Sequence, residues 1–370
     1  MCQYFGQLPD PGAERARRHQ LLDIIVIAVC GVICGADSWV DIAEFGKAKQ
    51  EWFESFLDLP NGIPSHDTFG RVFARLEPAP FEHCFRAWSQ GLKEATSGRR
   101  IALDGKTLRR SHHRASGQNA LHLISAWATE QRLVLGQQKV ADHSNEIIAL
   151  PALLELLTLE GAVVTIDAMG TQKEIARQVR DQGADYVLAL KANPGSLYQE
   201  VQDCFALAEP ASFAGDYQDY HTTVNGGHGR VEKRQYWSIW DPDHLTYLDE
   251  AGEWSGLKSI AMVEAERQVG SEVSRECRYY LSSLPGDAKE LGRAIPGHWG
   301  IENGLHWMLD VAFREDQSRV RTGYAPENLA LLRRIALNLL RQETTSKVGV
   351  KAKRLKAGWN EDYLLRVLTS

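Results

Sequence analysis

Two aspartates stand where short apolar segments of the sequence end. Asp104 follows the apolar segment 101–103, and Asp167 ends the apolar segment 162–167. A carboxylate at the end of a buried strand is costly unless it is solvated, paired or bound to a metal. If the two strands are parallel neighbours, both side chains lie at the edge where open α/β sheets bind ligands. Each aspartate alone also fits a residue that caps the next turn, so it is their joint occurrence that favours a site.

A third carboxylate lies on a predicted helix that runs from about His298 to Val311. His298, Glu302, His306 and Asp310 are spaced four residues apart, which predicts that they share one helix face. The alternative is a solvated surface with i,i+4 pairs. The two histidines could bind zinc, but the sequence has no HExxH spacing. Three carboxylates without a cysteine favour a hard cation, Mg²⁺ or Mn²⁺.

Asp104, Asp167 and Glu302 together would suit phosphodiester chemistry. Two metal ions about 4 Å apart can activate the attacking oxygen and stabilise the leaving oxygen. In this interpretation Asp104 bridges both ions, and the other two carboxylates each hold one.

Rival chemistries have weaker support. The sequence has no G-x-x-x-x-G-K-[ST] loop, its glycine-rich segment 224–229 lacks a strand-to-helix context, and its Ser-His-His segment 111–113 lacks a nucleophile elbow.

Charge is distributed unevenly along the chain. The net charge is −6, but residues 99–114 carry +5 and residues 313–356 carry +7, which leaves −18 on the rest. Two basic segments on an acidic body are typical of a surface that binds a polyanion, although charge runs are often only solvated faces. We expect DNA contacts beside the carboxylates. The predicted contact residues are Lys106, Arg109, Arg110, His298, His306, Arg319 and Arg321.

Composition places the chain among globular proteins. Its 370 residues are 44% hydrophobic and 24% charged, close to globular averages, and their number predicts two to three domains. The most apolar segment, 24–35, is shorter than the ~20 residues of a membrane span, so a buried helix is the better interpretation than a signal peptide. Six cysteines without a CxxC pair are typical of reduced thiols. We therefore expect a cytoplasmic protein with no membrane partner.

The predicted elements form a mixed architecture around these residues. Short helices at the N-terminus fit either a helix-turn-helix-like module or a plain packing domain. From residue 100, the order strand-strand-strand-helix-strand-helix-strand predicts a hairpin sheet followed by right-handed βαβ crossovers. Thr171 and Glu174 have capping-box spacing, which predicts the start of the second of these helices. Later strands are predicted to form a β-rich insertion, after which helices return.

These elements divide the chain into five predicted parts. A catalytic core follows the helical N-terminal domain, is interrupted by the insertion, and precedes a basic and less regular tail. The predicted bounds are 1–96 for the N-terminal domain, 97–209 for the first part of the core, 210–286 for the insertion, 287–345 for the glutamate helix and the closing helices, and 346–370 for the tail.

Short motifs along nearly the whole chain resemble one protein family. The most specific motif is His298-Trp299-Gly300-Ile301-Glu302-Asn303, which Leu305-His306-Trp307 and Leu309-Asp310-Val311 follow. The other motifs lie at 59–69, 102–106, 166–172, 185–191, 228–232, 315–316 and 336–340. Their order and spacing together are specific. The sequence resembles the DDE transposases of bacterial insertion sequences, in particular the H-repeat-associated (ISAs-type) branch.

The resemblance implies an α/β fold, a ribonuclease-H-like mixed sheet with flanking helices, in which Asp104, Asp167 and Glu302 match the family's catalytic carboxylates. It implies a bacterial enzyme that uses two Mg²⁺ ions, with Mn²⁺ as a substitute. Such an enzyme cuts double-stranded DNA at terminal inverted repeats and joins the freed 3′ hydroxyl to target DNA. The resemblance also implies a homodimer or larger assembly on DNA. The β-rich insertion would occupy the interval before Glu302.

The sequence departs from related cut-and-paste transposases around the glutamate. Those enzymes place a Tyr, an Arg and a Lys there for contacts with DNA ends, whereas this chain has Ile295, His298 and Leu309. Only His298 of these can donate to a phosphate. Pro296 stands where a basic residue is expected, and we predict that it lies in a first helical turn, where proline is tolerated. We therefore do not predict a hairpin-end mechanism.

Two other functions fit the same residues. A catalytically silent DNA-binding protein derived from a transposase would need only the N-terminal helices and the basic tail, and its binding would be salt-sensitive. A nuclease of the same fold would cut DNA without joining strands. The sequence does not separate the nuclease from a transposase, but a strand-transfer assay on pre-cut ends does.

Overall fold

The computed structural model describes residues 2–12, 18–92, 100–112, 117, 119–142, 144–192, 196–208, 216–227 and 230–370. Three features of the sequence analysis lie outside these residues. They are the domain boundary near residue 97, the turn at 228–229, and Arg99 and Arg114 of the first basic segment.

The described part of residues 2–92 is helical, as predicted. Its six helices are α1 (Cys2–Phe5), α2 (Leu21–Cys34), α3 (Trp39–Ala48), α4 (Gln50–Glu54), α5 (His66–Arg75) and α6 (Pro78–Gly91). Twelve of the 14 residues of α2 are buried, which is typical of a helix at the centre of a core. Ser65 caps α5, because its hydroxyl accepts a hydrogen bond from the Thr68 amide at 3.3 Å.

Nine strands of the described residues form one continuous mixed sheet. The strands are β1 (Arg100–Thr107), β2 (His122–Ala128), β3 (Leu133–Lys139), β4 (Val163–Ile166), β5 (Asp185–Ala189), β6 (Gln218–Gly227), β7 (Arg230–Ile239), β8 (Ser259–Val269) and β9 (Glu272–Ser282). Their order across the sheet is β3-β2-β1-β4-β5-β9-β8-β7-β6. The strands of the insertion therefore extend the sheet of the core.

The first five strands have the predicted ribonuclease-H-like arrangement. Strands β1, β2 and β3 are antiparallel neighbours, and β4 and β5 run parallel to β1. The crossovers between them contain α7 (Glu146–Glu155) and α8 (Lys173–Asp181). Because β4 and β5 are short and mostly buried, their apolar runs were readable as interior strands of a parallel sheet.

Helix α8 begins differently from the prediction. Its N-cap residue is Gln172, which makes no side-chain cap. The Thr171 hydroxyl donates instead to the Ala189 carbonyl at the end of β5, at 2.6 Å. The predicted capping box of Thr171 and Glu174 is therefore wrong, because a neighbouring strand takes the hydroxyl that the box would use.

Two short helices precede and interrupt the long strands. They are α9 (Ser196–Leu207), which follows β5, and α10 (Pro242–Leu248), which joins β7 to β8. The outer halves of β8 and β9 are largely exposed, whereas their inner halves are buried. The long strands therefore reach from the core into solvent, and β9 joins them to the core by pairing with β5.

The predicted helix that carries Glu302 is present but is not a continuous α-helix. It consists of α11 (Ala288–Ile301), a π-helical turn (Glu302–His306) and α12 (Trp307–Phe313). The wider turn breaks the four-residue spacing that the prediction assumed. Pro296 lies in the interior of α11, so its predicted position in a first turn is wrong, although the helix continues through it.

The C-terminal residues form α13 (Ala325–Gln342), α14 (Val350–Trp359) and α15 (Glu361–Thr369). The segment predicted as a less regular basic tail is thus mostly helical. Two of its basic residues point inward. Lys353 donates to the Leu340 carbonyl at 2.9 Å, and Arg354 donates to the Val32 carbonyl at the end of α2 at 2.8 Å. These hydrogen bonds fix the C-terminal helices to the core.

The sheet separates two main apolar clusters. Alternate residues of β1 point to opposite sides, since Ala102 packs with α2, α13 and the N-terminal helices, whereas Ile101 and Leu103 pack with α7 and α8. The N-terminal helices and the C-terminal helices therefore share one core.

Of the described helices, none alone is long and apolar enough to cross a membrane. Only α2 and α3 together pass that test, by length and composition, and they are bent by 96° relative to each other.

Candidate active site

Asp104 and Asp167 lie side by side on neighbouring strands of the sheet, at the level where β4 ends. In the parallel pairing of β1 with β4, Leu103 stands opposite Ile166, and each of these residues is followed directly by one of the aspartates. The two aspartates therefore stand at the same level, Asp104 within β1 and Asp167 directly after β4. The structure brings these two predicted residues together through strand register.

The surroundings of the aspartates favour their protonated forms. Burial, followed by the charges of Asp167, Glu146 and Glu302, raises the pKa of Asp104 to about 7. Burial, followed by the charge of Glu146, also raises the pKa of Asp167, while Lys191 opposes this change. Carboxylates are thus concentrated here without enough positive charge to balance them, which is typical of a functional site.

Glu302 is exposed and reaches the same site from the helical side. It is the first residue of the π-helical turn, and it lines a cavity of about 440 Å³ together with Asp167 and Lys191. The charge of Glu302 also contributes to the raised pKa of Asp104. The three predicted carboxylates therefore lie in one region. Asp167 directly follows β4 and Glu302 is on a helix, whereas Asp104 lies within β1, which continues to Thr107 and does not end at Asp104 as predicted.

The other members of the predicted helical face separate into different contacts. His298 Nδ1 lies 3.4 Å from the Thr165 hydroxyl, and His306 Nδ1 lies 3.3 Å from Asp104 Oδ2. Burial lowers the pKa of His298 to about 4, and burial with the charges of Arg334 and Lys106 lowers the pKa of His306 to about 3. Both imidazoles are therefore neutral at pH 7 and can offer a single N–H.

Lys106 is surrounded by carboxylates. Its ammonium bonds Asp310, lies 3.1 Å from Glu315 Oε2 and lies 3.9 Å from Asp316, and its side chain is 9% exposed. The structure therefore places this predicted phosphate contact in an ion-pair cluster behind the aspartates. In this position Lys106 holds α12 and the segment after it against β1.

The two basic segments predicted from charge meet in space. Arg109 Nε lies 3.2 Å from Asp316, and Arg321 donates to the Arg110 carbonyl at 2.9 Å. Arg319 and Arg321 also line a cavity of about 950 Å³ with Arg71 and further residues of α5. This surface, formed by residues 109–110 and 319–321, is named the basic ridge below.

A second basic surface borders Glu302. A cleft of about 710 Å³ between α11 and the long strands is lined by Trp299, Glu302 and arginines of β7, β8 and β9. The guanidinium groups of Arg234 and Arg278 lie over the Trp299 ring, 4.5 and 4.9 Å from its centre. We name this the arginine cleft. Its five arginines are Arg230, Arg234, Arg267, Arg275 and Arg278.

Sequence reasoning missed three residues at this site. Lys191 lies just beyond β5 and could have been found by the strand-end rule that identified Asp167. Glu146 and His122 had no comparable signal. Their side chains are joined by a 2.7 Å hydrogen bond. The pairing of β2 with β1 positions His122, and the packing of α7 against the sheet brings Glu146 beside Gly105.

The donor types at this site fit a hard divalent cation. Asp104, Asp167 and Glu302 offer carboxylate oxygens, which Mg²⁺ and Mn²⁺ prefer, and their mutual charge would be compensated by a cation. As they are placed, no three described His, Cys, Asp or Glu side chains form a group that could hold a metal ion. The assignment of donors therefore rests on chemistry and on shared electrostatics.

Comparisons with known proteins give a consistent picture. Residues 95–339 match the family described as "Transposase DDE domain", and residues 2–89 match the family described as "DDE_Tnp_1-associated". YncI, a candidate transposase of Escherichia coli O157:H7, is 41% identical over 373 residues, which cover 100% of this chain and 94% of that protein. YhhI, a candidate H repeat-associated transposase of Escherichia coli strain K12, is 37% identical over 372 residues, which cover 100% and 97%.

One solved structure has a weaker likeness. The piggyBac transposase in a synaptic complex with hairpin DNA aligns with a TM-score of 0.41 and 10% identity, covering 100% of this chain and 77% of that one. No argument below depends on this structure.

Proposed function

This chain belongs to the family of DDE transposases, and on that premise we propose that it cuts DNA at the ends of an insertion sequence and joins the freed 3′ hydroxyl to target DNA. Enzymes with this domain cut and join DNA, and they use divalent metal ions. The proposal for this chain is supported by the register of β1 and β4, in which Leu103 stands opposite Ile166, and by the cavity that Asp167 and Glu302 both line.

We assign the metal-binding role to Asp104, Asp167 and Glu302. Bound as a pair, Mg²⁺ ions would activate the attacking oxygen and stabilise the leaving oxygen of an in-line displacement. The charges of Asp167 and of Glu302 both raise the pKa of Asp104, so Asp104 would hold a cation together with these two carboxylates. His306 lies beside Asp104, with its Nδ1 3.3 Å from Asp104 Oδ2.

We assign DNA contacts to the basic ridge and to the arginine cleft, which Glu302 lines. Arg109, Arg110, Arg319 and Arg321 would position the duplex through its phosphates, and the neutral His298 could donate to a phosphate only if it released Thr165. Lys106 would act indirectly, through the carboxylates that surround it. Pairing of two DNA ends would require at least two copies of the chain.

The proposal is tested by DNA cleavage with a radiolabelled substrate. The substrate is the terminal inverted repeat identified from DNA that flanks the coding sequence. The Asp167→Asn variant should cut at least 1000-fold more slowly with Mg²⁺ or Mn²⁺, since one oxygen donor loses its charge. The matched control is Asp181→Asn at the exposed end of α8, which should cut like the wild type.

Three results would contradict the proposal in different ways. Cleavage by the Asp167→Asn variant at the wild-type rate would contradict the assignment of Asp167 to the metal site. Salt-sensitive binding without cleavage by the wild type in either metal would support a catalytically silent DNA-binding protein. Cleavage without joined product from pre-cut ends would support a nuclease of the same fold.

A further inference from the structure

Glu146 lies against β1 beside Asp104, on a helix that the assigned carboxylates do not use. It is the first residue of α7, and its side chain is 15% exposed. The carboxylate lies against the backbone of Gly105, the residue after Asp104, where a Cβ atom would overlap Glu146 Oε1 and lie 2.9 Å from His122 Nε2. Glycine at this position therefore leaves the space that the Glu146 carboxylate occupies.

His122 fixes the direction of this carboxylate. His122 Nε2 lies 2.7 Å from Glu146 Oε1, and His122 Nδ1 lies 2.7 Å from the Thr107 hydroxyl. Because a carboxylate only accepts, Nε2 carries the proton, and in the neutral ring Nδ1 accepts from Thr107. Thr107 and His122 face each other in the pairing of β1 with β2, so the sheet itself positions the histidine.

A role in capping the N-terminus of α7 does not explain where the Glu146 side chain lies. Asn145 already caps α7, since its side chain accepts from the Ile148 amide at 3.3 Å. A glutamate in the first turn can stabilise a helix without touching a strand, whereas Glu146 points to β1. There its charge adds to burial in raising the pKa of Asp167, and it contributes to the same change in Asp104.

We propose that Glu146 is a fourth carboxylate of the catalytic centre, oriented by His122 toward the divalent cation that Asp104 and Asp167 bind. The proposal rests on the proposed function. Four carboxylates repel one another when no cation is bound, so the same contacts that destabilise the free site strengthen its attraction for a cation. Glu146 thus acts on metal binding, and His122 is a positioning residue for it.

The test measures binding of Mn²⁺ alone to the full chain, by isothermal titration and by thermal denaturation with and without the metal. The Glu146→Gln variant keeps the shape of the side chain and an oxygen that can accept from His122. It should bind Mn²⁺ at least tenfold more weakly than the wild type, and without metal it should melt at the same or a higher temperature. The matched control is Glu155→Gln at the exposed end of α7, which should behave like the wild type.

His122 provides a second pair of variants. The His122→Ala variant should weaken Mn²⁺ binding severalfold, and His122→Gln, which keeps an N–H donor, should recover most of that loss. A merely structural role for the histidine would lower the melting temperature and leave the Mn²⁺ affinity unchanged in the folded protein.

The outcomes separate this proposal from the proposed function. Wild-type affinity for Mn²⁺ in both Glu146→Gln and His122→Ala would overturn the role of Glu146 and leave the three assigned carboxylates intact. If the wild type bound Mn²⁺ but Asp104→Asn bound equally well, the assigned centre would be wrong. Absence of Mn²⁺ binding by the wild type would overturn both the metal assignment and the role of Glu146.

Discussion

Glu315 is a fully buried carboxylate that connects the site to the core. Its oxygens lie 3.1 Å from Arg334 Nη1 and 3.1 Å from Lys106 Nζ, and neither Glu315 nor Arg334 has an exposed side chain. Burial alone would raise the pKa of Glu315, but the charges of Arg334 and Lys106 outweigh it and lower the pKa to about 2. The pair therefore contributes to stability only while Glu315 is ionised.

Replacement of Glu315 should change how stability depends on pH. The folded pKa of about 2 lies below the ordinary value of 4.5, so the stabilisation is complete above pH 4.5 and is lost as the pH falls toward 2. Glu315→Gln should lower the free energy of unfolding by about 3 to 5 kcal/mol at pH 7, because it leaves Arg334 buried without its partner. Urea denaturation at pH 7 and pH 3 measures both effects. A difference between variant and wild type that stayed constant with pH would contradict this role.

Some site residues were readable from the sequence and others were not. Asp104 and Asp167 could be identified because a charged residue at the end of an apolar run is conspicuous in any sequence. Glu146 follows an ordinary helix cap, and its proximity to Asp104 depends on where α7 packs. For Lys106 the sequence indicated a different partner. Its charge suggested a phosphate contact, but in the structure it is surrounded by Asp310 and Glu315, which are far along the chain.

At the level of elements, the π-helical turn is the feature that carries Glu302. Arg341 of α13 donates to the Gly304 carbonyl within this turn at 2.6 Å and lies over the Trp127 ring, 4.6 Å from its centre. Gly304 itself packs against that ring, because a Cβ there would lie 3.0 Å from Trp127 Cζ2. Tertiary contacts thus accompany the wider turn. The periodicity of the sequence predicted the helix. It could not predict the change of hydrogen-bond spacing, because residues distant in the sequence support that change.

Loss of Arg341 should therefore affect catalysis more than folding. Arg341→Met keeps much of the apolar stem but leaves the Gly304 carbonyl without its donor. We expect the free energy of unfolding to fall by about 1 to 3 kcal/mol and the cleavage rate to fall more than tenfold, since the turn that places Glu302 relaxes. DNA affinity should stay within twofold, because Arg341 belongs to neither basic surface. Cleavage kinetics and a binding titration on the same preparation measure both, and a parallel loss of affinity would contradict this assignment.

The C-terminal helices should act on stability and not on DNA binding. Arg354 donates to the carbonyls of Val32 and Ile33 at the end of α2, and it lies over the Phe313 ring. Arg354→Met should lower the free energy of unfolding by about 2 kcal/mol or more, because buried carbonyls lose their donor. Its DNA affinity, measured on the folded protein, should equal that of the wild type. A selective loss of DNA affinity would instead support a DNA-binding tail.

For the molecule as a whole, the net charge of −6 conceals two basic surfaces, the basic ridge and the arginine cleft. The salt dependence of DNA binding reports how many phosphates these surfaces neutralise, because each contact releases counterions. In the arginine cleft, Arg230 and Arg267 are exposed, and among the described residues neither forms an ion pair. They are therefore the arginines of the cleft that are best placed to meet a phosphate.

Removal of these two charges should flatten the salt dependence. For the double variant Arg230→Gln, Arg267→Gln, the slope of log K against log salt concentration should fall in magnitude by about 2. The matched control is Arg177→Gln, Arg366→Gln, which removes the same charge from exposed positions on α8 and α15. Titrations at several salt concentrations give both slopes. Equal slopes for the two double variants would show that the cleft makes no phosphate contact.

The single sheet has a consequence for how the protein is made. The strand pairing of β5 joins Val187 to Ser282, so the sheet stays unfinished until β9 has been synthesised. Glu302 follows Asp167 by 135 residues, an interval that a ribosome needs roughly 7 to 27 s to translate. A nascent chain or a prematurely terminated fragment thus has the two aspartates without the glutamate. Synthesis of the chain through Glu302 is therefore a precondition for assembly of the proposed DNA-cutting centre.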